Sequence, residues 1–244
     1  MHPMKHIPNL LTLINASCGV VAIYFITAQS KNSVAACLLL AALSDLLDGI
    51  VARRLGVHGP LGQQLDSLAD VVSFGVVPAF LWSSILSDYG TLDQPWAIIM
   101  GATVAASSVY RLANFNLRKD QSVDFIGMPT PANTLFALGL WIWLGLCEQW
   151  DWIVTMSKDE RTAMTLVLIS ILIISVYWLN ARMPILSFKS SDDNIRRNAQ
   201  IILVILFSLL VIFVGPLAFT ITVAALPLLS FATDYLLQKK NQLK

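Results

Sequence analysis

The feature that most constrains the fold of this chain is a series of apolar stretches, each close to the length of a membrane-spanning helix. Such a helix needs about 20 mostly apolar residues. The chain is 56% apolar and only 13% charged, whereas soluble proteins average about 45–50% and about 25%. We therefore predict an all-α, polytopic transmembrane helical bundle that forms a single membrane domain over residues 1–244. The predicted spans are residues 10–28, 33–54, 66–87, 95–115, 132–149, 162–181, 199–214 and 216–237.

Two of these stretches need a decision about where they begin or end. The first follows Lys5 and His6 and resembles a secretory signal, but no small-residue cleavage site ends it, so we expect a retained span. Near the C-terminus, Gly215 and Pro216 interrupt a continuous apolar run, which must turn or kink there. A tight hairpin between two spans fits the length better.

The basic residues predict the orientation of the bundle, because cytoplasmic loops carry an excess of Lys and Arg. With eight spans, 13 of the 16 basic residues lie on the side of the termini and 3 lie opposite. Trp96, Trp150 and Trp152 flank the opposite loops, where indole rings prefer the membrane interface. We expect a multi-pass protein of a bacterial inner membrane, with both termini and the active site cytoplasmic.

Four aspartates interrupt the apolar pattern of the second and third spans. Asp45 and Asp48 are three residues apart, and Asp66 and Asp70 are four apart, so each pair shares one helix face. Each Asp costs about 2.5–3.5 kcal/mol at the centre of a span. A hard divalent cation such as magnesium or manganese would offset that cost and their repulsion. The alternative is that they are solvated acids paired with Arg53 or Arg54, or with a helix N-terminus.

The spacing of these residues resembles a known signature. The chain matches D-x2-D-G-x2-A-R-x8-G-x3-D-x3-D from Asp45 to Asp70 at every fixed position. This pattern is similar to that of the CDP-alcohol phosphotransferase family. The resemblance implies an enzyme that transfers a phosphatidyl or related group from a CDP-linked donor to an alcohol and releases CMP.

The same resemblance implies roles for the motif residues within a catalytic hairpin, residues 33–87. Two divalent ions, Mg or Mn, would be held by four aspartates, with Asp70 also serving as the general base. By their position in the motif, the small residues and the arginine would contact the donor's cytidine diphosphate. Those implied metal ligands are Asp45, Asp48, Asp66 and Asp70, and the implied CDP-binding residues are Gly49, Ala52, Arg53 and Gly62.

Three further segments resemble the phosphatidylserine synthase branch of that family. They are IPNLLTLINASCG near the N-terminus, DSLADVVSFGVVPA after the motif, and YRLANFN with the later FIGMPTPAN. This branch implies CDP-diacylglycerol as donor and L-serine as acceptor. It also implies a six-helix catalytic core, followed here by C-terminal helices without a recognisable motif, and a homodimer within membrane lipid.

Residues for the acceptor are assigned from their position in or beside spans. Arg111 needs an anionic partner at membrane depth, which a serine carboxylate, a lipid phosphate or a motif aspartate would supply; snorkelling to the interface is the other reading. Pro129 and Thr130 belong to a conformationally restricted loop. Thr12, Asn15 and Ser73 are polar residues inside apolar spans, each equally able to bond another helix, and we assign Asn15 and Ser73 to the acceptor site.

Other functions remain open at the level of the sequence. The same chemistry could use glycerol 3-phosphate or inositol phosphate, although a phosphate-bearing acceptor should demand a stronger basic cluster. Intramembrane carboxylates can also line the path of a cation transporter, but there they should be spread through the bilayer depth. The formal charge of +1 gives no support for binding nucleic acid.

Overall fold

The computed structural model describes residues 6–57, 59–117, 125–181, 184–185 and 194–242. Within them, eight helices are long and apolar enough to cross a membrane, so the predicted all-α polytopic bundle of an integral membrane protein is confirmed. The α-helices are α1 (Ile7–Thr27), α2 (Lys31–Leu55), α3 (Pro60–Val71), α4 (Val77–Ser84), α5 (Gln94–Leu117), α6 (Thr130–Gln149), α7 (Lys158–Asn180), α8 (Asn194–Val214) and α9 (Leu217–Gln242).

The third span, Pro60–Tyr89, is one helical segment with two local changes of pitch. Helices α3 and α4 are joined by a π-helical segment, Val72–Val76, and a second π-helical segment, Ile85–Tyr89, follows α4. A π turn holds more residues than an α turn and therefore shifts the helix face that follows it. The residues on either side of Val72–Val76 consequently need not follow one continuous helical stripe.

The start of the third span differs from the prediction at residue 66. Gly59 is extended and Pro60 occupies the first turn of α3, where proline's fixed φ suits a helix and its missing N–H removes no bond. The preceding helix α2 ends at Leu55, followed by Gly56 in the left-handed region at φ 62°, a common helix stop. Asp66 therefore lies in the second turn of α3 rather than at its first residue.

The hairpin predicted near the C-terminus is present. Gly215 has φ 58° and connects α8 to α9 in a tight turn. Helix α9 packs against α8 and α6, while α8 has few buried residues and presents an apolar surface suited to lipid. Helix α8 begins before the predicted residue 199 because the polar segment ahead of its apolar run is also helical.

The third span and α6 form the centre of the bundle, with most of their apolar residues buried. Helix α4 packs against α5 and α6, and α3 packs against α1, which also runs along α2. Trp82 and Trp141 are fully buried in this core. A Cβ on Gly101 would lie 2.2 Å from the Ala79 carbonyl oxygen, so a glycine is required where α5 meets α4.

A polar cluster ties together the end of the bundle remote from the aspartates. Ser84 Oγ accepts a hydrogen bond from Trp141 Nε1 at 2.9 Å and donates one to Asp88 Oδ2 at 2.5 Å. Gln29 Nε2 also donates to Asp88 Oδ2, at 2.7 Å. Lys31 Nζ lies 5.2 Å from the Trp141 ring centroid, a cation–π distance. The α1–α2 turn is thereby fastened to the third span and α6.

The two long loops of the bundle meet through a short β-pair. Two-residue strands β1 (Phe125–Ile126) and β2 (Pro184–Ile185) pair antiparallel, which places the two long loops predicted to be cytoplasmic on one face. Trp96, Trp150 and Trp152 are exposed near the other ends of the helices. The basic residues of the long loops, Arg118, Lys119, Arg182 and Lys189, lie outside the described residues.

Candidate active site

The motif aspartates converge where the end of α2 faces the start of α3. Asp45, Asp48 and Asp66 each offer a carboxylate oxygen, and these three oxygens lie within 4.8 Å of one another. The Asp45 and Asp70 carboxyls are also close enough to interact electrostatically. Helical spacing places each pair on one face, and the tight connection through Gly56 and Gly59 turns the two faces toward each other.

Helix α1 contributes hydrogen-bond donors to this carboxylate cluster. Thr12 Oγ1 donates to Asp48 Oδ2 at 2.5 Å, and Asn15 Nδ2 donates to Asp70 Oδ1 at 3.3 Å. Thr12 and Asn15 are three residues apart and share a helix face. The sequence shows both as polar residues in an apolar span, but the assignment of functional residues omitted Thr12. Because Thr12 shares a helix face with Asn15, the sequence could have predicted Thr12 as a site residue too.

The π-helical segment begins two residues after Asp70 and is held by neighbouring helices. Ser73 Oγ donates to the Asn15 carbonyl oxygen at 2.8 Å. Thr134 Oγ1, on α6, shares its hydroxyl hydrogen between the Phe74 carbonyl oxygen at 3.3 Å and the Thr130 carbonyl oxygen of its own helix at 3.0 Å. Single π-helical turns within α-helices are frequent at functional sites. The segment following Asp70 is thus fixed against both α1 and α6.

A cavity of about 860 Å³ adjoins the aspartates on the side of the α2–α3 connection. All four residues predicted to bind the donor's CDP line it, together with two of the aspartates. Helices α1 and α5 also contribute residues that sequence reasoning missed, because they are distant in the chain from the motif. The lining residues are Pro8, Asn9, Thr12, Asp48, Gly49, Ala52, Arg53, Val57, Gly59, Pro60, Gly62, Gln63, Asp66, Phe115 and Asn116.

The glycines of the motif leave open space beside the Arg53 guanidinium. The Arg53 guanidinium lies 3.4 Å from where a Cβ on Gly49 would be, so it folds back over that glycine. A Cβ on Gly62 would meet only Asn9 Oδ1, at 3.6 Å. Glycine at 62 is therefore not required by packing within the described chain.

The five residues predicted to contact the acceptor do not form one group. Asn15 and Ser73 lie beside Asp70 and bond to it or to each other. Arg111 is buried on α5, Thr130 is buried at the start of α6, and Pro129 precedes that helix. None of the five is among the described residues that line the 860 Å³ cavity. The structure therefore brings only Asn15 and Ser73 of the five close to Asp70.

The donor set suits a divalent cation. Carboxylate oxygens are the ligands that hard cations such as magnesium, manganese and calcium prefer. Several carboxylates held this close repel one another unless a cation or protons compensate their charge. With Asp48 buried and the others partly buried, water alone compensates that repulsion poorly, so these residues fit a metal.

Sequence comparison finds several known proteins that are similar to this chain. The archaetidylserine synthase of Methanothermobacter thermautotrophicus is 38% identical over 128 residues, which are 51% of this chain and 53% of that relative. The CDP-diacylglycerol–serine O-phosphatidyltransferase of Mycobacterium leprae is 35% identical over 145 residues, 56% of this chain and 47% of the relative. The enzyme of the same name from Helicobacter pylori is 29% identical over 225 residues, 89% of this chain and 85% of the relative.

The first two of these matches cover about half the length of the relatives concerned. The family model described as CDP-alcohol phosphatidyltransferase, in contrast, matches residues 5–235, almost the whole chain. That range includes the aspartate cluster, the residues that line the cavity, the first seven spans and all but the last two residues of the eighth. The chain therefore belongs to the CDP-alcohol phosphatidyltransferase family.

Proposed function

We propose that the protein transfers the phosphatidyl group of CDP-diacylglycerol to the hydroxyl of L-serine, giving phosphatidylserine and CMP. The observation that carries the proposal is the convergence of motif aspartates from two helices beside a cavity lined by the motif's glycines and Arg53. A cavity of about 860 Å³ is within the range of about 300–1,000 Å³ typical of small-molecule sites. A cavity of this size accommodates the cytidine diphosphate of the donor, with the diacylglycerol part directed toward lipid.

The family depends on divalent metal, and the aspartates are suited to hold it. We assign two ions per chain, magnesium or manganese, to Asp45, Asp48, Asp66 and Asp70. When bound, they would neutralise the donor's diphosphate and stabilise the departing CMP. Asp45, Asp48 and Asp66, whose carboxylate oxygens lie within 4.8 Å of one another, would hold these ions together with Asp70.

The chain's own residues supply binding, orientation and proton transfer. Gly49, Ala52, Arg53 and Gly62 bind the cytidine diphosphate in the cavity that they line. Asp70 takes the proton from the acceptor hydroxyl. The hydroxyl oxygen forms a bond to the phosphorus that carries diacylglycerol, and the bond from that phosphorus to the CMP oxygen breaks. CMP leaves with the electron pair.

Serine is favoured over phosphate-bearing acceptors by the charge of the site. Arg53 is the one cation among the described residues lining the cavity, and we assign it to the donor. Arg111 is the basic residue assigned to the acceptor, and one guanidinium balances the single charge of the serine carboxylate, whereas a dianionic phosphate should demand a stronger basic cluster. The relatives from Mycobacterium leprae and Helicobacter pylori are named as serine phosphatidyltransferases, which supports the same acceptor.

The remaining proposals concern the protein as a whole. We assign it to a bacterial inner membrane as a single membrane domain with both termini and the site cytoplasmic. The excess of basic residues on that side supports the orientation. We also propose a homodimer, for which the exposed apolar surface of the bundle leaves room.

The proposal is tested by CMP release from the purified protein in detergent. CDP-diacylglycerol and a divalent cation are supplied with serine, glycerol 3-phosphate or inositol phosphate in separate reactions. Serine-dependent CMP release and formation of phosphatidylserine are expected. The Asp70→Asn variant should lose turnover while retaining donor binding, and Asp93→Asn, an exposed aspartate near the opposite ends of the helices, should behave as wild type.

Each other outcome refutes a different part of the proposal. Turnover with glycerol 3-phosphate or inositol phosphate instead of serine would change the acceptor and leave the chemistry intact. Absence of CMP release with every alcohol would favour cation transport through the aspartates. Full activity of Asp70→Asn would remove Asp70 from the role of general base.

A further inference from the structure

Asn15 is a buried amide whose environment is not explained by stability alone. It lies in the middle of α1 with 0% of its surface exposed. Its Oδ1 has no hydrogen-bond partner among the described residues. Leaving a buried acceptor unpaired destabilises the folded state. Leucine has a similar volume and would avoid that cost in an apolar span.

The one hydrogen bond that the Asn15 side chain makes to a described residue goes to Asp70. Nδ2 donates to Asp70 Oδ1 at 3.3 Å. The orientation of the amide follows from this contact, because an ionised carboxylate only accepts hydrogen bonds and would repel Oδ1. The unpaired Oδ1 is therefore the consequence of directing Nδ2 toward Asp70.

The backbone of Asn15 is fixed to the segment that follows Asp70. Ser73 Oγ donates to the Asn15 carbonyl oxygen at 2.8 Å. One turn further along α1, a Cβ on Gly19 would lie 2.9 Å from Ser73 Cα, so this glycine allows α1 and the π-helical segment to touch. The Asn15 amide is consequently held at a constant position relative to Asp70.

We infer that Asn15 is a positioning residue that fixes the rotation of the Asp70 carboxyl group for proton transfer, which rests on the proposed function of Asp70. A donor held on one carboxylate oxygen restricts rotation about the Cβ–Cγ bond and leaves the other oxygen for the acceptor hydroxyl. Misplacing a catalytic group by about 1 Å can cost on the order of 100-fold in rate. The sequence analysis instead predicted that Asn15 belongs to the acceptor site, where it would contact serine directly.

The test measures kinetics and stability of Asn15→Leu in the purified full chain. We expect kcat with serine to fall by about 10- to 100-fold. The KM values for serine and CDP-diacylglycerol should stay within about twofold, since uniform binding is not removed. The thermal unfolding temperature in detergent should remain at the wild-type value or rise. Asn15→Ala provides a second variant if the leucine variant does not fold.

The matched control is Thr222→Val, which removes another buried, unpaired polar atom at constant shape. Thr222 Oγ1 is buried in α9 and has no hydrogen-bond partner among the described residues. It should leave kcat unchanged, so that a loss in Asn15→Leu is not a general effect of a more apolar bundle.

Four results would overturn the inference. A kcat within twofold of wild type would show that Asp70 needs no help from Asn15. A raised serine KM at unchanged kcat would make Asn15 an acceptor contact instead. A fall in unfolding temperature that accounts for the lost activity, or failure of both Asn15 variants to fold, would make its role structural. Failure of wild type to release CMP with serine would refute the proposed function and with it this inference.

Discussion

Thr12 on α1 donates a hydrogen bond to Asp48, and the contribution of this bond to activity can be measured by removing it. Thr12 is 3% exposed, and its Oγ1 is 2.5 Å from Asp48 Oδ2 and 3.0 Å from the Pro8 carbonyl oxygen. The single hydroxyl hydrogen is directed mainly to the carboxylate, which is nearer and charged. The change Thr12→Val keeps the shape of the side chain and removes this donor.

The magnitude follows from the kind of bond that is lost. A hydrogen bond to a charged group contributes about 1.5–3 kcal/mol, and about 1.36 kcal/mol corresponds to tenfold in rate. If the orientation of Asp48 is needed in the transition state, Thr12→Val should lower kcat/KM for CDP-diacylglycerol by about 10- to 150-fold. The helix itself should be unaffected, because valine fits this turn and backbone bonds are retained.

The assay is serine-dependent CMP release at saturating divalent cation, with two control variants. Thr12→Ser retains the hydroxyl and should keep most of the activity. Thr233→Val removes a hydroxyl that donates to the Leu229 carbonyl oxygen at 2.7 Å, the same helical bond without a carboxylate, and should behave as wild type. More than half of wild-type kcat/KM in Thr12→Val, or an equal loss in Thr12→Ser, would refute the reasoning.

Further predictions concern packing, backbone conformation and metal. Gly101→Ala should lower the free energy of unfolding by about 1–3 kcal/mol, because the new Cβ would meet the Ala79 carbonyl oxygen of the neighbouring helix. Thermal unfolding compares it with Gly59→Ala, where a Cβ meets nothing within 4 Å. Equal stability of the two variants would contradict the close packing of α5 against α4. Gly215→Ala should cost about 1–2 kcal/mol because its φ is 58°, whereas Gly215→Asn, which tolerates that conformation, should cost less; the order of the two unfolding temperatures is the check. Chelation with EDTA should abolish CMP release, and added Mg²⁺ or Mn²⁺ should restore it; undiminished turnover in chelator would count against a metal at the aspartates.

Segregation of polar groups explains how one apolar bundle can hold a charged site. The aspartates, the cavity and Arg53 gather where α2 turns into the third span. A separate network around Asp88 fastens the other ends of the same helices. Because the two networks lie at opposite ends of the third span, its apolar middle packs as a core while its first turns carry chemistry.

Local patterns in the sequence were sufficient for the spans and for the pairing of the aspartates. Runs of about 20 apolar residues have few alternatives to spanning helices, so the number of spans and the Gly215 hairpin were predicted correctly. The spacing of three between Asp45 and Asp48, and of four between Asp66 and Asp70, places each pair on a helix face whatever surrounds it. Matching of the whole motif then identified the family.

Tertiary structure decided what meets those faces. That Thr12 bonds Asp48 while Asn15 bonds Asp70 depends on the rotation of α1 about its axis, which is set by close packing at Gly19 rather than by any local pattern. The π-helical segment after Asp70 is likewise stabilised by partners on α1 and α6. Helical periodicity reports which residues of one helix share a face, but contacts between helices depend on packing over the whole bundle, so only the structure could assign them.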